Sequence, residues 1–208
     1  MVNSSNNTRE KILIVASELF GKKGFDGVSI RDIAQIAEVN VASINYHFQN
    51  KNLLFQEIFI TSHTWLESEI GKLGEQKEMS FKKLAWRTLS LFLENDTMIL
   101  NTFRIFLSDQ LDMPDGFHEE HCADGPPGGE HFLRVLTEEL GIDIPLERRQ
   151  WAVRMVFSNI THLGLITCTT YMKNEKKQMP WMSKENLEKD TYELVDAITQ
   201  LLKSRYGS

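Results

Sequence analysis

The chain has 208 residues, 41% of them hydrophobic, and a formal net charge of -6. That length and apolar content suffice for a packed core and exclude a disordered polymer. The acidic sum excludes a protein that coats nucleic acid indiscriminately, because such binding grows with the number of phosphates neutralised by Lys and Arg.

The charge is unevenly placed. Up to Phe55, six cations (Arg9, Lys11, Lys22, Lys23, Arg31, Lys51) face five acids (Glu10, Glu18, Asp26, Asp32, Glu38), a balance of +1, and the remaining residues carry -7. Any DNA binding must come from a small, well-placed set of contacts. The opening residues 1–8 have no basic region followed by an apolar run, so no secretory signal is expected. The apolar stretch from Met155 to Tyr171 is interrupted by Asn159 and His162 and makes a poor membrane span. Cys122 and Cys168 are too few and too far apart for a disulfide framework, which points to a reducing, cytoplasmic location.

From Thr8 to Lys23, Ile12, Val15, Ala16, Leu19 and Phe20 fall at helical spacing and form one apolar stripe. Gly24 supplies a permissive stop. Ser29 with Asp32 three residues on fits the Ser-x-x-acid helix start, and Ile30, Ile33, Ala34 and Ala37 give a second, short helix its buried face. Glu38 and Val39 make a turn, after which Asn40 can cap a third helix over 41–48.

That third helix is roughly 12 Å long at 1.5 Å per residue and too short to stand alone. Ile44 and Phe48 anchor it inward, leaving Val41, Ala42, Ser43, Asn45, Tyr46 and His47 on the opposite side. A helix that reads the major groove needs small groups near its start and polar tips further along. Val41 and Ala42 suit thymine methyl groups, and Asn45 suits bidentate pairing with adenine. Tyr46, His47 and Lys51 suit phosphates, and the start of a fourth helix after Asn50 offers free amides.

The string Thr8-Arg9-Glu10-Lys11-Ile12-Leu13, Ala16, Leu19-Phe20, Gly24-Phe25, Val28-Ser29-Ile30, Ile33-Ala34, Ala37, Val39, Tyr46-His47-Phe48 and Lys51 resembles the N-terminal domain of the TetR family of bacterial transcription regulators in order and spacing. One departure is Glu38, where the family usually carries glycine. The resemblance implies that Ser29, Asn40, Tyr46, His47 and Lys51 contact phosphates while Val41, Ala42 and Asn45 face bases. It also implies a homodimer that binds a palindromic double-stranded operator and leaves it when a small-molecule effector enters the C-terminal domain.

Helical periodicity continues over about 53–73, 80–95 and 97–111. Residues 112–129, rich in Gly and Pro, cannot continue a helix. Helices are expected again over 130–140, 146–171 and 184–204, and strand-like alternation is absent. The expected architecture is all-α: a three-helix helix-turn-helix DNA-binding domain, 1–52, followed by a larger helical ligand-binding and dimerisation domain, 53–208.

In that larger part, Leu187, Thr191, Leu194, Ile198 and Leu201 repeat at steps of four and three, and Ala152, Val156, Asn159, Leu163 and Ile166 repeat similarly. In the resembling family two such helices from each subunit form a four-helix dimer interface, so these ten residues are the expected seam. The alternative is that both stripes are internal core. Trp65, Trp86, Phe103, Phe106, Trp151, Phe157 and His162 are candidates for lining an apolar effector cavity.

His118, His121 and Cys122, with His131 beyond them, put imidazole and thiolate donors within fourteen residues. The spacing is not the zincin His-Glu-x-x-His. The competing readings are therefore a polar loop without metal, a metal-responsive regulator, and a metal-dependent enzyme built on this cluster. The leading expectation is a regulator, not an enzyme, with no obligatory cofactor.

Overall fold

The structure, a computed structural model, describes residues 2–110, 112–115, 117, 125–141, 143–175 and 178–207, with side chains from residue 7 onward. Its helices are α1 (Val2–Lys23), α2 (Ile30–Ile36), α3 (Val41–Phe48), α4 (Lys51–Gly74), α5 (Phe81–Glu94), α6 (Asp96–Phe106), α7 (Gly129–Leu140), α8 (Leu146–Cys168), α9 (Thr170–Glu175) and α10 (Lys184–Tyr206), with a 3₁₀ turn at Pro180–Met182. No strand occurs among the described residues, in agreement with the all-α expectation. The chain divides into two compact units, Met1–Thr64 with Thr97–Asp115, and Trp65–Asp96 with Gly116–Ser208.

The first unit is built on α1 to α3, with residues 51–64 of α4 and most of α6 packed beside them. Gly24, at φ +71°, lets the chain leave α1, and its amide still donates to the Phe20 carbonyl at 2.9 Å. Ile12, Ala16, Phe20, Ile33, Ala37, Ile44, Phe48, Leu54 and Phe55 are buried together as the core. Two of them, Ile44 and Phe48, hold α3 in place, each burial contributing roughly 1.5–3 kcal/mol relative to exposure. The rings of Phe20 and Phe55 meet edge-on with centroids 5.0 Å apart, and Phe25 lies 5.0 Å from Phe55.

In the second unit α5 is the central helix, packed by α7, α8 and α10. Phe81, Leu84, Ala85, Leu89 and Phe92 on it are fully buried. Its start is capped twice: Ser80 accepts from the Lys83 amide, and Glu139 of α7 accepts from the Phe81 amide at 2.6 Å. Gly164 brings α8 close to α5, since a Cβ there would stand 2.6 Å from the Phe92 ring. Helix α7 runs between Gly128 and Gly141, both at positive φ.

Two expected boundaries shift. The helix expected over 146–171 breaks at Thr169, which adopts extended backbone at φ -68° and ψ 146°. There the Thr169 hydroxyl donates to the Ile166 carbonyl and accepts from the Met172 amide, closing α8 and opening α9 without Gly or Pro. The helix expected over 97–111 ends at Phe106, where the Ser108 amide turns back to the Ile105 carbonyl and the Ser108 hydroxyl accepts from Gln110.

Candidate nucleic-acid interface

The helix-turn-helix begins with a reciprocal cap. The Asp32 amide donates to the Ser29 hydroxyl at 3.1 Å, while both the Ser29 amide (2.8 Å) and hydroxyl (2.7 Å) donate to the Asp32 carboxylate. The Ser29 hydroxyl and then its amide hold the Asp32 carboxyl below the usual carboxylate value. The amide and hydroxyl protons of Ser29 are both directed to the Asp32 carboxylate, so in this structure Ser29 serves as the cap of α2.

The turn carries Glu38 at φ +51°, a conformation that costs an L-residue more than glycine. The Val39 amide reaches back to the Ala34 carbonyl at 3.0 Å, and Lys11 of α1 pairs with the Glu38 carboxylate at 3.0 Å. Asn40 then caps α3, its side-chain oxygen accepting from the Ser43 amide at 2.6 Å. Its side-chain NH₂ stays available to an external acceptor.

On α3, Val41, Ala42, Asn45 and Tyr46 are exposed, Tyr46 at 81%, and Ser43 and His47 are half-buried. These six, with Asn40, form one outward edge, while Ile44 and Phe48 face the core. Asn50 accepts from the Leu53 amide at 2.9 Å and so starts α4 beside that edge. Lys51 does not hang in solvent. Its ammonium lies 4.0 Å above the Phe25 ring, which fixes the position of a cation near the end of α3.

Two residues of the resembling string have a supporting role that the sequence did not reveal. Arg9 lies over the Phe48 ring at 5.4 Å and pairs with Glu57, joining α1, α3 and α4. Phe25 seats Lys51. Both stand in the string that resembles the TetR family, but their roles come from cross-helix contacts that periodicity does not report.

The expected dimer seam separates into two groups. Ala152, Val156, Leu187, Thr191 and Ile198 are buried within the second unit and pack its own core. Asn159, Leu163, Ile166 and Leu194 are half-buried, and Leu201 is exposed. Met155 and His162 on α8 and Ala197 on α10 are exposed on the same helices.

The expected cavity residues also divide. Phe103 and Phe106 belong to the first unit, where Phe106 stacks on Phe59 at 5.6 Å. In the second unit Trp86 and Phe157 are core, the Phe157 ring meeting Phe92 and Phe132 edge-on. His162 is exposed, Trp65 is half-buried, and Trp151 borders a recess of about 70 Å³ with Arg148, Leu201, Leu202, Arg205 and Tyr206.

Of the candidate metal ligands, His118, His121 and Cys122 lie outside the described residues. His131 is packed against Gly71 and Gly74 of α4, with its Nε2 3.2 Å from the Glu130 carboxylate. Among the described residues no three His, Cys, Asp or Glu side chains gather as a metal site, and no described helix is long and apolar enough to cross a membrane.

A capped short helix presented on two others, with small residues at its start and polar ones behind, defines a helix-turn-helix head. Residues 12–58 match the family described as bacterial regulatory proteins, tetR family. Over 52 residues it is 46% identical to "Probable HTH-type transcriptional regulator YttP" of Bacillus subtilis, covering 25% of each chain. Over 49 residues it is 37% identical to the "Biofilm operon icaADBC HTH-type negative transcriptional regulator IcaR" of Staphylococcus aureus, covering 24% of this chain and 26% of that one. The alignments thus span about a quarter of the length of these curated relatives. A crystal structure of a transcriptional regulator from Aquifex aeolicus is similar in fold, with a TM-score of 0.62 at 20% identity over 92% of this chain and 99% of that one.

Proposed function

We propose that the chain is a homodimeric, effector-released repressor. Residues 1–52 bind a palindromic DNA operator in this reading, and 53–208 carry the dimer interface and the effector site. The observation that carries it is the outward edge of α3, held by Ile44 and Phe48 beneath and by Asn40 at its start. Val41, Ala42 and Asn45 face base edges; Asn40, Tyr46, His47 and Lys51 hold phosphates, and Ser43 lies between the two sets. Ser29 keeps only its capping role.

A single α3 offers few contacts, whereas two placed about 34 Å apart read successive half-sites. The partly exposed faces of α8 and α10, with Asn159, Leu163, Ile166, Leu194 and Leu201, are the surfaces proposed to meet a second copy. The repressor sense rests on the described role of IcaR, and cytoplasmic placement on the DNA target. An effector need supply only about 1.4 kcal/mol of differential affinity between two conformations to change occupancy tenfold.

The test is selection of bound duplexes from random DNA, followed by anisotropy titration. Two subunits per palindrome are expected, with affinity falling steeply as salt rises. Lys51→Ala and Tyr46→Ala should weaken binding to every sequence, while Val41→Ala and Asn45→Ala should change sequence preference. Equal, sequence-independent losses from both groups would refute the division of roles, and failure to select any duplex would refute the regulator.

A further inference from the structure

The second unit contains a recess of about 220 Å³ between the ends of α5 and α8, helix α9, the 3₁₀ turn and the start of α10. None of the seven aromatic and histidine residues expected to line an effector cavity borders it. Its apolar wall is Leu93, Met182 and Leu187, and three small polar residues, Ser90, Cys168 and Thr167, also border it, the Thr167 hydroxyl being directed to the Leu163 and Gly164 carbonyls.

Ser90 makes the recess more than a packing irregularity. The residue is 8% exposed, and its hydroxyl has no hydrogen-bond partner among the described residues. A buried hydroxyl normally finds one. Helical serines commonly bond back to the carbonyl four residues earlier, as Thr102, Thr137 and Thr191 do here, and Ser90 does not. The neighbouring Cys168 thiol is already directed to the Phe92 carbonyl at 3.8 Å. Ser90 therefore offers both a donor and an acceptor.

The rim sets the charge class. Lys173 and Asp96 pair with each other at 2.5 Å, and Glu94 and Lys184 contribute one charge of each sign. A rim that sums to zero gives no net attraction to an anion or a cation. The volume equals that of about seven waters at roughly 30 Å³ each, below the ~300 Å³ at which drug-sized sites begin. That admits one ring or a short chain.

We infer that this recess is a binding site for a small uncharged molecule, a single ring bearing one hydroxyl or carbonyl, whose ring lies on Leu93, Met182 and Leu187 and whose polar atom pairs with Ser90. The inference deepens the regulator reading, and rests on it only for the consequence that occupancy affects DNA binding.

The site is tested without DNA, on the full chain, by calorimetry or ligand-observed NMR with phenol, toluene, benzoate and benzylamine as probes. Phenol should bind best, about tenfold tighter than toluene. Ser90→Ala, which keeps the helix, should erase that tenfold advantage while leaving toluene unchanged. Leu93→Trp should fill the recess and abolish both. Absence of phenol binding, a phenol preference that survives Ser90→Ala, phenol affinity unchanged in Leu93→Trp, or tighter binding of benzoate or benzylamine would each overturn the assignment. The DNA step is read separately, by adding phenol to the chain bound to a selected duplex. A chain that binds no duplex yet distinguishes phenol from toluene through Ser90 would overturn the regulator and leave the site standing.

Discussion

The side chain of Asn101 occupies the space that a Cβ on Gly21 would need. Both belong to the first unit, and Asn101, at 4% exposure, cannot swing into solvent. Arg104, one turn further along α6, donates to the Gly21 carbonyl at 3.0 Å, so α6 is seated on α1 by absence of a side chain and presence of a backbone acceptor.

Gly21→Ala should therefore destabilise the protein. Replacing a helical glycine by alanine ordinarily gains up to about 1 kcal/mol, whereas forcing a methyl into a filled site costs about 1–3 kcal/mol. The net expectation is a loss of about 1 kcal/mol in denaturant unfolding. A gain in stability would show that the contact yields freely.

Glu38→Gly should leave stability equal or higher. An L-residue at φ +51° costs roughly 1–2 kcal/mol, glycine gives back part of that as lost chain entropy, and the exposed pair with Lys11 is worth at most about 1 kcal/mol. Glu38→Val, branched at Cβ, should lose about 1–2 kcal/mol in the same conformation. Thermal unfolding of the two variants checks the ordering: valine below wild type, glycine at or above it.

The Ser29–Asp32 cap predicts acid sensitivity in α2. The carboxyl of Asp32 is held below its ordinary 3.8 by the Ser29 hydroxyl and amide, so its contribution is present above that value and is lost as pH falls through the lower folded one. Asp32→Asn should flatten the low-pH limb of the stability curve relative to wild type. Identical limbs would mean that the cap makes no ionic contribution.

Cys168 predicts the opposite limb. Burial first, and then the Asp96 carboxylate, push its thiol up from 9.0 to about 11. The unfolded chain loses this proton first, so the thiol's contribution is complete below about pH 9 and declines as pH rises towards 11. Cys168→Ala should show a smaller drop in denaturant midpoint between pH 8.5 and 10.5 than wild type. An equal drop would place the titration elsewhere.

The head was legible in the sequence because its signals are local. Ser29 with Asp32, Asn40, and the pair Ile44 and Phe48 each act within a turn or two, and the expected span of α3, 41–48, is the span it occupies. The second unit was legible as helices but not as surfaces. A stripe such as Ala152, Val156, Asn159, Leu163 states that a face is apolar, and periodicity alone cannot say whether its own chain or another covers it; Ala152 and Val156 turn out to be covered internally. Large aromatic residues drew attention as a cavity wall, yet the recess around Ser90 is bordered by leucines, a methionine and small polar groups that carry no compositional signal. The break at Thr169 was hidden too, since it comes from a hydroxyl bonding locally where no Gly or Pro marks the stop.

Arg9, clasped between the Phe48 ring and the Glu57 carboxylate, stands three positions ahead of the 12–58 stretch by which kinship is detected. The portion that advertises ancestry is thus shorter than the portion that makes the reader stiff. A fragment trimmed to the recognisable segment would keep every side chain on the outward edge of α3 and still lose the fastening that aims them.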